Sequence, residues 1–308
     1  MICLRLALVG AAAWALHREL AALSLGDLVS HVRAVGWTSL ALALACTVAS
    51  FAVLGLIELL ALRRAAGVAR ERLPARAGLL TSFVANAFGQ SIGLSVLTGT
   101  AVRLRAYARY GADVAEVAQT SAFVTLTTTL GLLAAGALAL AGVMPATGAI
   151  GAIMRPTAIV SASLVLGYLA WSALGTREAV GGSTWHIVRP SPAVAARQIF
   201  LSVVDWLLTG TVLFVLLPAS SAIAYGSLLR AYMVAQMAGV TSHVPAGAGV
   251  FEIVLLSVLA QGAPSTERAG LVAALVLFRI VYYLIPLCGA IAVAGSAEVL
   301  APEAARVA

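Results

Sequence analysis

Apolar residues dominate the chain in runs, most of which are long enough as helices to cross the ~30 Å hydrocarbon layer of a bilayer. The shortest run, Met1 to Leu16, is interpreted as a retained first helix, although a signal-peptide segment has the same pattern. The predicted full spans are Met1–Leu16, Trp37–Leu62, Val117–Val143, Pro156–Leu174, Gln198–Leu217 and Arg268–Val293. The pattern therefore predicts an all-α fold, a polytopic transmembrane helix bundle of about six full spans that forms a single integral membrane domain over residues 1–308.

The apolar stretch from Leu79 to Gly111 is interrupted by glycines at positions 89, 93 and 99. Helices over 79–93 and 100–110 would reach only ~15 to 22 Å at ~1.5 Å per residue, which is too short for a span. We therefore predict a re-entrant, broken-helix hairpin. Irregular backbone at membrane depth is tolerated only where protein or a water-filled cavity satisfies its polar groups, so such a hairpin indicates a site.

A second stretch, from Gly226 to Gln261, is similar to the first. Val84, Ala85, Asn86, Gly89 and Gly99 lie 150 positions before Val234, Ala235, Gln236, Gly239 and Gly249. The second stretch is also interrupted, at HVPAGAG, and is also followed by a full-length span. We therefore predict a second re-entrant hairpin and two repeats, around residues 79–143 and 226–293.

The composition agrees with a membrane protein, because 62% of the residues are hydrophobic and only 10% are charged. The longest hydrophilic segment, Gly175 to Arg197, is too short to form a soluble catalytic domain. Cys3, Cys46 and Cys288 lie singly in apolar runs, which argues against disulfides and redox chemistry. No metal-ligand spacing, Ser-His-Asp arrangement or Walker motif is present, so we expect neither cofactor nor metal.

All 19 basic residues are arginines, and the net charge is +7. Arginines crowd the loop after Leu62, which predicts that this loop is cytoplasmic. With that loop inside, thirteen arginines fall inside and four outside, and Arg230 and Arg279 are left within the membrane. The inside set is Arg5, Arg63, Arg64, Arg70, Arg72, Arg76, Arg103, Arg105, Arg109, Arg177, Arg189, Arg197 and Arg306, and the outside set is Arg18, Arg33, Arg155 and Arg268.

This asymmetry predicts a multi-pass protein with both termini in the cytoplasm, and we expect it to lie in the bacterial inner (plasma) membrane. The two hairpins would then open to opposite sides, which makes the repeat inverted. Alternating-access transporters use inverted repeats to build a binding site at the membrane midplane. In such a protein, positive charge indicates contact with anionic lipid headgroups rather than with nucleic acid.

Both hairpins are predicted to restart a helix near mid-membrane. The positions concerned are Thr98, Gly99 and Thr100 in the first hairpin and Pro245, Gly247 and Gly249 in the second. A restart leaves unpaired N–H groups and a positive dipole end, which attract phosphate. The sequence is equally consistent with Thr98 or Thr100 as an ordinary N-cap and Pro245 as an ordinary helix start.

Two faces of the segment after the first restart carry polar side chains. Arg103, Tyr107 and Tyr110 share one face by their helical spacing, and Arg105 and Arg109 share another. The face with Arg103 could hold a lipid phosphate, and the face with Arg105 and Arg109 could lie in the cytoplasmic headgroups. Interfacial snorkelling is an alternative for both faces, although it fits Arg103 less well because Arg103 lies deeper.

Five charged residues lie within or at the edges of apolar segments, where a charge is costly and usually functional or paired: Glu58, Asp205, Arg230, Glu252 and Arg279. Glu58 is set aside because it lies near a cytoplasmic end. The other four form a neutral set, which fits either a substrate site or structural ion pairs. Glu252 lies in the first turn of its half-helix, where the helix dipole alone favours a carboxylate.

Three segments, TGTAVRLRAYARYG, SHVPAGAGVFE and LFRIVYYLIP, resemble the membrane domain of the lysylphosphatidylglycerol synthase/flippase family, the multiple peptide resistance factors. The resemblance covers nearly the whole chain. Its most specific positions are Gly99, Arg103, Arg105, Pro245, Gly247, Gly249, Glu252, Arg279, Tyr282, Tyr283 and Pro286.

The resemblance implies a flippase that moves aminoacylated phosphatidylglycerol, such as lysylphosphatidylglycerol, or a related phospholipid to the outer leaflet, a function tied to antimicrobial peptide resistance. Full-length members add a soluble synthase, and this sequence contains no such part, so we do not expect aminoacyl transfer. The expected partners are phospholipids. A separately encoded aminoacyl-lipid synthase and a second copy of the chain are further candidates, and no nucleic acid is expected.

Arginines and helix N-termini would bind the phosphate of such a lipid, and carboxylates would bind its amine. The predicted substrate-binding residues are Thr98, Gly99, Thr100, Arg103, Tyr107, Asp205, Arg230, Pro245, Gly247, Gly249, Glu252, Arg279 and Tyr283. One alternative is a membrane-embedded lipid-modifying enzyme, which would need a base or metal constellation. The other is a non-transporting partner of another membrane protein, which would not need charges near the midplane.

Overall fold

The structure is a computed structural model, and it describes residues 25–64, 73–92, 95–141, 149–175, 179–181, 186–219, 221–242, 247, 249–259 and 265–295. The helices are α1 (Leu25–Arg64), α2 (Ala75–Ile92), α3 (Ser95–Tyr107), α4 (Val114–Ala141), α5 (Ala149–Leu174), α6 (Pro192–Val215), α7 (Tyr225–Thr241), α8 (Val250–Leu259), α9 (Ser265–Phe278) and α10 (Ile285–Gly295). A 3₁₀ turn (Ala108–Tyr110) follows α3, and a π-helix (Arg279–Leu284) joins α9 to α10. Between α5 and α6, strands β1 (Ala179–Gly181) and β2 (His186–Val188) form a short antiparallel ribbon.

The predicted all-α membrane bundle is confirmed. Within the described residues, five helices are long and apolar enough to cross a membrane: Val35–Arg64, Val114–Leu140, Met154–Leu174, Pro192–Val215 and Gly270–Gly295. They correspond to five of the six predicted spans. The sixth, Met1–Leu16, lies outside the described residues, so the total of six stays a prediction.

A glycine marks where the first of these spans begins. Gly36 has a φ of +77°, which breaks α1 into two helices just before the apolar run starts at Trp37. Residues with a side chain rarely adopt a positive φ, whereas glycine does so at little cost. The apolar part of α1 then packs along α6, and Leu54 and Ile57 of α1 belong to the buried core.

Close packing of α4 on α6 depends on Gly131. A Cβ atom at Gly131 would overlap the Ser202 side chain of α6 and would lie 2.8 Å from its carbonyl carbon. At Gly167 of α5, by contrast, a Cβ atom would meet nothing within 4 Å. The backbones of α4 and α6 therefore approach each other at a distance that only glycine permits at position 131.

We therefore expect Gly131→Ala to lower stability by about 1–3 kcal/mol or more, because overpacking forces helices apart. The matched control, Gly167→Ala, should leave stability unchanged or raise it slightly, since alanine favours helix by about 1 kcal/mol. Equilibrium unfolding in detergent micelles measures both. Equal effects of the two substitutions would contradict the packing of α4 on α6.

The first hairpin consists of α2 and α3, and both of its outer ends lie beside the C-terminal part of α1. The first turn of α2 packs there, because a Cβ at Gly78 would lie 2.8 Å from Leu62 Cδ1. One turn further on, Ser82 Oγ donates to the Leu54 carbonyl at 3.2 Å. The far end of α3 returns to the same part of α1, where Arg103 and Tyr107 contact Glu58. The predicted hairpin is thus present.

The boundaries predicted inside this hairpin were wrong. α2 has 18 residues, which corresponds to about 27 Å and not to a short piece. α3 begins at Ser95, so Thr98, Gly99 and Thr100 lie within the helix and do not start it. Gly99 is tolerated inside α3, and Thr100 Oγ1 donates to the Val96 carbonyl at 2.6 Å, which is a bond of the helix interior and not an N-cap.

The second hairpin consists of α7 and α8, with a break between Ser242 and Val250. Gly247 and Gly249 have φ values of +62° and +82°, and α8 starts directly after Gly249. A Cβ at Gly247 would lie 3.2 Å from the Gly239 Cα, so backbone approaches backbone here. The predicted restart before Val250 is confirmed, although Pro245 lies outside the described residues.

The two hairpins enter the bundle from opposite ends. Arg64 Nη2 donates to the Arg189 carbonyl at 3.4 Å, which puts the end of α1 and the start of α6 together. At the other end of α6, Thr211 Oγ1 hydrogen-bonds Tyr225 OH at 3.0 Å, where α7 starts. The start of α9 also lies at that end, because a Cβ at Gly270 would be 2.9 Å from Pro218.

This arrangement predicts that residues 181 and 221 face opposite sides of the membrane. A single cysteine at Gly181 and one at Ser221, each in a chain without its natural cysteines, should react with a membrane-impermeant thiol reagent from opposite sides. The cytoplasmic assignment of the loop with Gly181 rests on the arginine distribution. Labelling of both positions from the same side would contradict the arrangement of the spans.

Candidate functional site

The π-helix Arg279–Leu284 lies midway along the last span, Gly270–Gly295. Pro286 explains part of this irregularity, because it lacks the N–H that would bond the Tyr282 carbonyl in an α-helix. π-helices are rare and occur frequently at functional sites. The sequence analysis did not predict this one, although Pro286 near the middle of an apolar run was a usable signal.

The second hairpin reaches the π-helix through an ion pair. Arg279 donates to Glu252 Oε1 from Nε at 2.9 Å and from Nη2 at 2.5 Å. The other carboxylate oxygen, Oε2, accepts the Gly249 N–H at 2.8 Å, so Glu252 also caps the start of α8. The guanidinium lies 4.7 Å from the Tyr283 ring centroid and 5.7 Å from that of Phe251.

This pair retains some access to its surroundings. The side chains of Arg279 and Glu252 are 12% and 13% exposed, whereas most core side chains nearby are fully buried. An arginine that stacks on an aromatic ring and a carboxylate at a helix N-terminus therefore lie side by side, and part of each side chain is accessible. A guanidinium can bind an anion and a carboxylate can bind a cation.

The first hairpin reaches the same π-helix from the other end of the bundle. Ser91, in the last turn of α2, donates to the Tyr283 carbonyl at 3.4 Å. α2 also packs on α10, where a Cβ at Gly289 would lie 3.3 Å from the Phe83 ring. The inner ends of both hairpins therefore meet at one irregular segment near the middle of the last span.

A second ion pair holds the first hairpin against α1. Arg103 donates to Glu58 from Nε at 2.8 and 3.1 Å and from Nη2 at 2.6 Å, and Tyr107 OH donates to Glu58 Oε1 at 2.7 Å. Thr81 of α2 hydrogen-bonds Tyr107. The side chains of Arg103 and Glu58 are 5% and 0% exposed. The predicted shared face of Arg103 and Tyr107 is confirmed, and it points at Glu58.

Setting Glu58 aside was therefore wrong. Although it is only six residues from the end of α1, or about 9 Å, packing by α2 and α3 buries it completely. A signal was present in the sequence, because the apolar residues Leu59 to Leu62 continue the run beyond Glu58 for a full turn. Arg103 was predicted to hold a lipid phosphate, and in the structure its guanidinium forms an ion pair with Glu58.

The four charged residues of the neutral set, Asp205, Arg230, Glu252 and Arg279, do not form two ion pairs. Glu252 pairs with Arg279, as described above, but the structure does not bring Asp205 and Arg230 together. Arg230 Nη2 donates to Ser227 Oγ at 3.0 Å. Asp205 is buried in the centre of the bundle, where Ser50 Oγ donates to its Oδ1 at 2.5 Å.

The apolar spans define a polytopic membrane protein. Two helical hairpins enter its bundle from opposite ends and meet at the π-helix of the last span. Over 249 residues the chain is 30% identical to the inner membrane protein YbhN of Escherichia coli (strain K12). The match covers 80% of this chain and 76% of YbhN. It is 31% identical over 241 residues to the uncharacterized protein slr0712 of Synechocystis sp., covering 75% of this chain and 71% of that one. The protein therefore belongs to the YbhN family of integral membrane proteins.

A more distant similarity extends to lipid-modifying proteins. The phosphatidylglycerol lysyltransferase of Bacillus subtilis is 26% identical over 206 residues, which are 67% of this chain but only 24% of that protein. The corresponding protein of Staphylococcus epidermidis is 33% identical over 87 residues. No family model matches the chain.

Proposed function

We propose that this protein is a flippase that moves a phospholipid between the leaflets of the bacterial inner membrane, with an aminoacylated phosphatidylglycerol as the best candidate. The observation that carries the proposal is the Glu252–Arg279 pair, which lies at the start of a half-helix, halfway across the last span and partly accessible. The distant similarity to proteins named phosphatidylglycerol lysyltransferase supports the choice of lipid.

A headgroup can cross hydrocarbon only if fixed groups replace its hydration, because a bare ion there is heavily penalised. Arg279 offers a guanidinium fork that suits phosphate, and the N-terminus of α8 adds a positive dipole end. Glu252 offers a carboxylate for an amine. In the structure Arg279 and Glu252 neutralise each other.

A lipid that carries both a phosphate and an amine can replace both partners at once. Its phosphate takes the place of Glu252 on Arg279, and its amine takes the place of Arg279 on Glu252. Each of the two protein charges then keeps an oppositely charged partner, so binding avoids the penalty of leaving one buried charge alone. A lipid with a phosphate but no amine would leave Glu252 with only its bond to Gly249 N–H.

Leaflet exchange in liposomes tests the proposal. The purified chain should move labelled phosphatidylglycerol and labelled lysylphosphatidylglycerol faster than empty liposomes and faster than liposomes with heat-unfolded protein. Mass analysis of the same vesicles should find both lipids chemically unchanged. Exchange at the level of empty liposomes for neutral, anionic and aminoacylated lipids would refute the flippase, and a modified lipid would favour an enzyme.

A further inference from the structure

Asp205 is a buried carboxylate at the centre of the bundle. It lies midway along α6, its side chain is almost inaccessible, and Ser50 Oγ of α1 is its hydrogen-bond donor. Within the described part of the chain, no arginine forms an ion pair with it. An isolated negative charge in such a place is costly, so a carboxylate retained there needs a reason.

A closed chain of hydroxyl groups connects Asp205 to the π-helix. Ser50 Oγ lies 2.9 Å from Tyr282 OH, and Tyr282 OH lies 3.0 Å from Thr209 Oγ1. Thr209 Oγ1 lies 2.8 Å from the backbone carbonyl of Asp205, which closes the chain. Each hydroxyl has one hydrogen to donate and can also accept.

The part of this chain between Tyr282 and the carboxylate can run in two directions. With Asp205 ionised, Thr209 donates to Tyr282, Tyr282 donates to Ser50, and Ser50 donates to the carboxylate. With Asp205 protonated, the carboxyl donates to Ser50 and Ser50 donates to Tyr282, while Thr209 remains a donor. The Ser50 hydroxyl therefore serves both protonation states by rotation of its hydrogen.

The groups that face Asp205 leave its charge uncompensated. The π-helix presents the phenol of Tyr282, α7 presents the phenol of Tyr232, and α1 presents the hydroxyl of Ser50. α4 meets this part of α6 with the Thr128 carbonyl, which accepts from Ser202 and Trp206. α5 faces α6 about two turns before Asp205, where Tyr168 is bonded to Gln198. α9 lies against Pro218, beyond the end of α6.

We propose that Asp205 is a proton-binding site whose loading and release power the lipid movement proposed above, on which this inference rests. A proton from water on one side of the membrane binds the carboxylate, and it leaves to water on the other side after the bundle has changed conformation. Tyr282 links this event to the lipid site, because it lies in the π-helix with Arg279 and Tyr283, where both hairpins meet. Alternating protonation thereby favours one hairpin arrangement over the other.

Infrared spectroscopy tests proton binding without lipid movement. In liposomes and sodium-free buffer, the parent protein should show a carboxylic acid C=O band that disappears as pH rises, and Asp205→Asn should lack that band. Ser50→Ala keeps the carboxyl but removes its donor, so it should change the pH at which the band disappears. A spectrum without such a titrating band, or an equal band in Asp205→Asn, would overturn the proton site.

Lipid movement under a pH gradient tests the coupling. Reversal of a gradient of about two pH units should change the parent's rate in one direction by about tenfold or more, and that of Asp205→Asn by less than about twofold. Glu267→Gln, a first-turn glutamate of α9 outside this cluster, should behave like the parent. If the parent's rate does not change with the pH gradient, or changes with a sodium gradient instead, the coupling to protons is refuted. A titrating band without any lipid movement would refute the flippase while supporting the proton site.

Discussion

Replacement of Glu58 by glutamine should destabilise the protein by about 3–5 kcal/mol, because it leaves the Arg103 guanidinium charged, buried and without its carboxylate. Arg103 is 4% exposed, so water cannot replace the lost partner. The same change weakens the bond from Tyr107 OH. The expected loss is a large share of the stability of a typical domain.

Equilibrium unfolding in mixed detergent micelles measures this loss, with Glu267→Gln as the control for the same chemical change at a more exposed position. The double variant Glu58→Gln/Arg103→Gln removes both charges and should cost clearly less than the sum of the two single variants. A single Glu58→Gln variant within about 0.5 kcal/mol of the parent would show that the pair does not hold α3 against α1.

The membrane architecture was readable from the sequence because bilayer thickness dictates the length of apolar runs. Five of the predicted spans are present in the described residues, and both interrupted stretches form hairpins. The restart before α8 was also readable, since Gly247 and Gly249 adopt left-handed conformations at which side chains are strained. These features follow from local chemistry alone.

The start of α3 was not readable from glycine positions. Gly99 and its threonine neighbours suggested a break, but a glycine inside a helix costs only about 1 kcal/mol relative to alanine. α3 also packs on α2 here, where a Cβ at Gly99 would lie 3.8 Å from the Ala85 carbonyl oxygen. A cost of that size is small enough for tertiary packing to offset it.

The charge pairing was not readable either, because it depends on which helices become neighbours. Glu58 and Arg103 are 45 residues apart, and Glu252 and Arg279 are 27 apart. Charge balance alone suggested that Asp205 and Arg230 belong to one set with Glu252 and Arg279. Only the packing of α1, α6 and the π-helix shows that Asp205 is surrounded by hydroxyl groups.

Replacement of Arg279 by glutamine should slow the movement of every phosphate-bearing lipid by about ten- to a hundredfold. A hydrogen bond to a charged group contributes ~1.5–3 kcal/mol, and each 1.4 kcal/mol corresponds to about a tenfold change. Arg155→Gln, at an exposed position on α5, is the control for loss of one arginine and should retain the parent's rate. Arg279 and Glu252 are less buried than Arg103 and Glu58, so these variants should remain folded.

Replacement of Glu252 by glutamine should act on the amine. It should slow an amine-bearing lipid such as lysylphosphatidylglycerol by about tenfold or more, and should affect phosphatidylglycerol much less. Glutamine keeps the side-chain oxygen that can accept the Gly249 N–H, so the start of α8 should persist. Glu267→Gln, also in the first turn of a helix, is the matched control.

The central claim is that the Glu252–Arg279 pair binds the headgroup by exchanging partners with its phosphate and amine. The most direct test is the initial rate of leaflet exchange of phosphatidylglycerol and of lysylphosphatidylglycerol, measured side by side for the parent, Arg279→Gln and Glu252→Gln. Each variant must first show the parent's unfolding profile. We predict that Arg279→Gln slows both lipids and that Glu252→Gln slows only the amine-bearing one. Folded variants that both move the two lipids at the parent's rate would contradict the claim.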